Sequence, residues 1–155
     1  MAGKIDARLK ELGITLPDAP APAANYVPWV RSGNLVFIAG QLPMEGGKAQ
    51  FVGKLGHEFQ TADGQKAARL CALNIVAQLR NALDGDLDRV RRIVRVGGFV
   101  ASAADFTDHP QVVNGASDML VQIFGEAGKH ARAAVGVASL PRGVAVEVEA
   151  VAEVA

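Results

Sequence analysis

Three residues of this sequence could do chemistry together. Arg132 opens the stretch HARAAVGVASLPRGVAVEVEA, ahead of a run of small apolar residues. Glu147 stands in the middle of the alternating run that closes the stretch, and Gly40 ends the apolar run NLVFIAG. An arginine fork is suited to gripping a carboxylate with two parallel, charge-assisted hydrogen bonds. A half-buried glutamate can orient or activate a water. A bare backbone amide beside a glycine can bind an oxyanion or a carboxylate oxygen. Each has a plainer alternative: Arg132 pairing with an acid, Glu147 facing water, Gly40 marking a bend.

Other chemistries find little support. His57, His109 and His130 are far apart and lack the paired spacing of metal ligands, so no metal is expected. His109 beside Pro110 reads as a helix start, and His130, close to Arg132, could reach a site edge. No phosphate-binding loop and no dinucleotide fingerprint is present, and GQKAARL lacks the phosphate-loop spacing. No serine sits on a strand-to-helix elbow. Arg89, Arg91, Arg92 and Arg95 read as solvated charges at the start of a strand. The formal net charge of zero argues against a broad nucleic-acid footprint. The single cysteine, Cys71, excludes an internal disulfide and reads as a buried thiol on a helix. The N-terminus lacks the apolar core of a signal peptide, and no run reaches the roughly 18 apolar residues of a membrane span. A cytoplasmic, membrane-free protein is the expectation.

The elements that must position these residues follow from periodicity and punctuation. The 155 residues suit one domain, with 1–24 forming a helix and a proline-rich strap ahead of a main body over 25–155. Ile5, Leu9 and Leu12 share one side of a helix over 3–12, stopped at Gly13. TLPDAPAPAANYVPWV is extended chain. NLVFIAGQLP is a strand, followed by a glycine turn and a short strand. Leu70, Leu73, Val76, Ala77 and Leu83 mark a helix ending near Gly85. VRRIVRVGGFVAS is a strand. Asp108 can cap the next helix, with Pro110 in its first turn and Gly128 at its exit. AAVGVAS and VAVEVEAVAEV are the last two strands, joined by LPRG, with Ser139 expected to pair with Val144 and Glu147 with Gly136. That order predicts an α+β fold with a mixed sheet and two helices on one face. In the last strand Val144, Val146, Val148, Ala150, Ala152 and Val154 form one side. Glu147 and Glu149 lie on the other, which is solvated or covered by a second subunit.

GNLVFIAGQLP, VRVGGFVASAADF and above all ARAAVGVASLPRGVAVEVEA resemble the RidA (YjgF) family, over roughly Asn25 to Val154. The resemblance implies a fold similar to chorismate mutase of the trimeric type, with sites between neighbouring subunits of a homotrimer. It implies hydrolysis of reactive enamines and imines such as 2-aminoacrylate to 2-keto acids and ammonia, without a cofactor. A non-catalytic binder of small carboxylate metabolites and an endoribonuclease-type translation inhibitor are the alternatives. By this resemblance Arg132 binds the substrate carboxylate, Glu147 serves the reacting water, Gly40 lines the pocket, and the helix residue Asn114 supports the site. Ala39 stands where a serine is usual, Ala134 where a cysteine is usual, and Gly136 where a glutamate is usual. Trp29 or Tyr26 takes the place of the aromatic that closes the pocket.

Overall fold

The computed structural model describes residues 3–22 and 24–155. Positions 1, 2 and 23, all within the expected N-terminal segment 1–24, lie outside the described residues. The elements run α1 (Lys4–Glu11), β1 (Trp29–Ser32), β2 (Leu35–Gln41), β3 (Met44–Glu45), β4 (Lys48–Ala49), α2 (Thr61–Ala82), β5 (Val90–Ala101), α3 (His109–Phe124), β6 (Ala131–Val137) and β7 (Val146–Val154). Five strands form one sheet in the order β1-β2-β7-β5-β6, and β3 and β4 form a separate hairpin. The α+β class and the mixed sheet are as expected: β5 and β6 are parallel, the other pairs antiparallel.

The alternation of β7 sets the layers. Val146, Val148, Ala150, Ala152 and Val154 are buried beneath the helices, while Glu147, Glu149, Val151 and Glu153 face the other way and are half-buried. Each fully buried valine contributes about 1.5–3 kcal/mol relative to exposure. The glycine pair of β5 lets both faces approach closely. A Cβ on Gly98 would run into Val113 of α3, and one on Gly97 into Glu149 on the opposite face.

Three expectations change. β6 and β7 do not form a hairpin, because β5 lies between them and pairs with both. The chain after β6 crosses the end of β5, where Val144 bridges to Val52 instead of Ser139. Glu147 is therefore level with Phe99 and Val135, not Gly136. Second, Trp29–Ser32 is an edge strand and not part of the strap: Gly33, at φ 59°, and Asn34 make a two-residue hairpin turn to Leu35. Third, Asp108 occupies the N-cap of α3 but its side chain makes no capping bond, and the helix ends at Gly125 (φ 63°), short of Gly128.

The N-terminal segment is tied to the body. The Asp88 carboxylate accepts from the backbone N–H of Lys4 and of Ile5, each at 2.9 Å, so the start of α1 is capped from a distant part of the chain. These two bonds, Ile5 first, hold the Asp88 carboxyl below the usual carboxylate range. Leu9 and Leu16 are buried in the core. Beyond them, Arg80 donates to the Pro17 carbonyl at 3.4 Å and Gln78 to the Pro20 carbonyl at 2.8 Å.

Candidate functional site

The acid end of the site forms where β2 leaves the sheet. The register of β2 against β7 shifts between Ile38 and Gln41, and this bulge takes Ala39 and Gly40 out of the regular ladder. Gly40 is needed for close approach: a Cβ there would collide with the Glu147 carboxylate. The Ala39 N–H donates to the Pro28 carbonyl at 2.9 Å, and its own carbonyl accepts from the Gln41 side chain at 2.9 Å. Both backbone groups of Ala39 thus hold the bulge, and the residue stands beside the cleft and not in its lining.

Glu147 and Gly40 open into a cleft of about 820 Å³. Its walls come from the β2 exit (Gln41, Leu42, Met44), the middle of α2 (Leu70, Leu73, Asn74), the strap from Thr15 to Pro22, and the turn at Pro141 and Arg142. Tyr26 and Pro28 also line it. Trp29 does not: it pairs with Ile38, on the face under the helices, and packs against the core. Of the two aromatics proposed for the pocket, Tyr26 is therefore the one that reaches it.

Burial raises the Glu147 carboxyl above the ordinary glutamate range, and the neighbouring Glu149 charge raises it further. Among the described residues, the Glu147 carboxylate has no hydrogen-bond or ion-pair partner. The groups behind the cleft wall are bound to one another. Buried Asn74 donates from Nδ2 to the carbonyls of Leu42 (3.0 Å) and Met44 (3.1 Å), while its Oδ1 has no partner. Buried Gln78 donates to the Pro20 carbonyl and, at 3.4 Å, to Gln41 Oε1.

The cation end is built differently. Arg132 lies on edge strand β6, on the helix-covered face, and α3 holds its guanidinium. Nη1 donates to Asn114 Oδ1 at 2.8 Å and to Ser117 Oγ at 3.1 Å, and Nη2 donates to the Pro110 carbonyl at 3.3 Å. An arginine has five N–H groups, so Nε and the second N–H of Nη2 remain for a ligand. Asn114 thus touches Arg132 itself. The network continues to His130, whose Nδ1 lies 2.6 Å from the Gly128 carbonyl and must donate to it. Its Nε2, 2.8 Å from Ser117 Oγ, then accepts the serine hydroxyl and leaves the oxygen lone pairs toward Arg132. A neutral imidazole fits this chain of bonds. Burial lowers the His130 pKa in the same sense, the Arg132 charge lowers it too, and the Gly128 bond opposes them.

Within one chain the two ends do not meet. Arg132 is level with Val96 and Ala150, Glu147 with Phe99 and Val135. They stand two strands and three residues apart, roughly 14 Å between backbones, on opposite faces of the sheet. Sequence reasoning also missed a second cation: Arg142, in the LPRG turn at φ 59°, lines the same cleft as Glu147. A charged residue inside a tight turn at the end of the motif was its only sequence signal. Cys71 is buried against the Val146 carbonyl at 3.6 Å, and burial pushes its thiol well up, as a structural cysteine requires.

Residues 6–154 match the family described as "YjgF/chorismate_mutase-like, putative endoribonuclease". The chain belongs to this family. The match begins inside α1, so the family pattern spans the helix and strap as well as the main body. Protein TCP17 of Trypanosoma cruzi is 50% identical over 153 residues, covering 98% of this chain and 95% of that protein. A crystal structure from Agrobacterium tumefaciens, described as of unknown function, is 51% identical with a TM-score of 0.91, covering 97% of this chain and 92% of that one. A 2-iminobutanoate/2-iminopropanoate deaminase of Dermatophagoides farinae is 28% identical over 139 residues, covering 89% of this chain and 92% of that protein.

Proposed function

We propose that the protein hydrolyses reactive enamines or imines that carry an adjacent carboxylate, releasing a 2-keto acid and ammonia, in a homotrimer whose sites lie between subunits. The observation that carries this is the separation of Arg132 from Glu147. One is an arginine with two N–H groups to spare at a sheet edge, the other an unpartnered acid in a cleft. Neither makes a site alone, and a second copy that lays its β6 edge beside the β2 bulge would complete one. The uncovered face supports such packing: Val30 (51% exposed), Phe37 (46%) and Val135 (46%) all lie on it. The name of the Dermatophagoides farinae relative supports the reaction class.

In this site the guanidinium of Arg132 grips the substrate carboxylate edge-on through Nε and Nη2. Backbone at the Gly40 bulge sets its orientation. Glu147, as carboxylate, takes a proton from a water that attacks the imine carbon. Glu147 passes that proton to the nitrogen, giving a carbinolamine. It then takes the proton of the new hydroxyl as the C=O bond forms and the C–N bond breaks, and hands it to the departing nitrogen, so water and imine yield ketone and ammonia. The raised pKa suits both steps, because it makes the group a better base and leaves its proton available. An imine is already electrophilic, so no covalent nucleophile is needed, consistent with alanine at positions 39 and 134.

The test is to generate 2-aminoacrylate in situ with a lyase and follow pyruvate and ammonia. Acceleration that Glu147→Gln removes is the expected result. No acceleration, together with calorimetric binding of 2-oxobutanoate, would favour the alternative, a non-catalytic carboxylate binder. The absence of both would reject the proposal.

A further inference from the structure

The strap has no role in the reaction just described, yet it forms one wall of the cleft. Leu16, Pro17, Pro20 and Pro22 line the same cavity as Glu147, together with Leu70 and Leu73 of α2. The strap is built to stay there. Leu16 is buried, and the carbonyls of Pro17 and Pro20 are tied to Arg80 and Gln78. Gln78 is almost fully buried and bonds the strap and the β2 exit from one amide. Its proline content limits the chain's freedom before any ligand arrives. A three- or four-carbon imino acid would fill only a small part of about 820 Å³. Cavities of roughly 300–1,000 Å³ take ligands of drug-like size. The space beyond the reacting end is bounded mainly by proline, leucine and methionine side chains, with its charges, Asp18, Glu45 and Arg142, also in the lining.

We infer that the strap and the Leu70–Leu73 face of α2 form a side-chain subsite, which selects 2-imino or 2-oxo acids bearing a bulky branched or aromatic apolar substituent. This rests on the proposed function, in that the carboxylate and the reacting carbon are placed by Arg132 and Glu147. The subsite lies wholly within one chain. A long substituent lies against pre-ordered apolar surface, and its burial adds affinity that a methyl group cannot supply. The rigidity of the strap means that little ordering opposes that gain.

Calorimetric titration of the full chain with pyruvate, 2-oxobutanoate, 4-methyl-2-oxopentanoate and phenylpyruvate tests this. The two larger acids should bind roughly tenfold or more tighter than pyruvate, the scale set by burying two or more further methylene groups. Leu70 is only partly buried, so Leu70→Trp adds bulk to open space. It should bring the ratio of large-acid to pyruvate affinity down toward one, with the melting temperature and oligomeric state reporting that the fold persists. Equal affinities across the series in the wild type would overturn the inference while leaving the proposed reaction standing, as would a ratio that Leu70→Trp does not change. No binding of any of the four acids would overturn the inference, while the proposed reaction would still be decided by the 2-aminoacrylate turnover assay.

Discussion

The two ends of the candidate site differ in how they are held. Arg132 is bonded by three acceptors along one face of α3, and the network runs on through Ser117 and His130 to the Gly128 carbonyl. Glu147 is bonded by nothing among the described residues; it is placed by a bulge, a glycine and partial burial. A group meant to bind a fixed charge gains from rigidity, because its orientation is set before the ligand arrives. A group meant to take up and release a proton gains from the lack of a partner, because any fixed cation would hold its pKa down.

That contrast can be broken most sharply at Glu147. Glu147→Gln should lower turnover of in situ 2-aminoacrylate by roughly 100-fold or more, the range for losing general acid–base catalysis. Binding of 2-oxobutanoate should suffer far less. Arg132→Lys should do the reverse, weakening that binding by about 1.5–3 kcal/mol, since lysine keeps the charge and loses the fork. Calorimetry and turnover measured on both variants show whether binding and proton transfer are divided between the ends as described.

The next effect is smaller and concerns the network. Ser117→Ala removes one acceptor from Arg132 and should cost about 0.5–1.5 kcal/mol of carboxylate binding. Ser117→Thr, which retains the hydroxyl, should restore it. Equal affinity in the alanine and threonine variants would mean that Asn114 and the Pro110 carbonyl suffice.

The pH dependence sharpens the comparison from the acid side. Turnover needs the Glu147 carboxylate, whose pKa is raised, so activity should fall as pH drops through a value above the ordinary glutamate figure of about 4.3. Glu149→Gln removes the second cause of the shift, so the acidic limb should move to lower pH. An unmoved limb would leave burial as the sole cause.

The smallest effects lie outside the contrast. Asp88→Ala should cost about 1 kcal/mol in chemical denaturation, as loss of a helix cap does, because two N–H groups of α1 lose their acceptor. The sign with pH follows from its depressed carboxyl: this stabilisation is complete above the unfolded-state pKa and is lost as pH falls through the lower folded-state value. Cys71→Ala should leave turnover unchanged, and a loss of turnover at unchanged melting temperature would contradict the structural role of that thiol.

Much of the architecture was legible because it is written in periodicity. The alternation of β7 identified its buried and open sides, and the three-and-four spacing of Leu73, Val76, Ala77 and Leu83 placed the buried face of α2. Strand neighbours were not legible: nothing in ARAAVGVASLPRGVAVEVEA says that β5 slips between its two strands. The same held for contacts made across distance, such as the capping of Lys4 and Ile5 by Asp88. The expected pairing of Glu147 with Gly136 was wrong, and the placement of Arg132 and Glu147 on opposite faces came only from the real register. The sequence left Trp29 and Tyr26 as alternatives for the pocket, because the turn at Gly33, which folds Trp29 onto the core and leaves Tyr26 at the cleft, shows only in the strand pairing.

The central claim is that Arg132 of one copy serves Glu147 of another, and mixing the two impaired variants, at substrate too dilute for the weakened binding of Arg132→Lys to support turnover, tests it most directly. Arg132→Lys and Glu147→Gln chains would be unfolded together, refolded as mixed oligomers, and assayed beside each variant refolded alone. Sites shared between copies predict recovery: random assembly pairs an intact arginine with an intact glutamate at about one contact in four, and turnover should rise to about a quarter of wild type. If mixed oligomers form, as sedimentation of tagged chains would show, and turnover stays at the level of the separate variants, then each chain carries its own site and the claim is wrong.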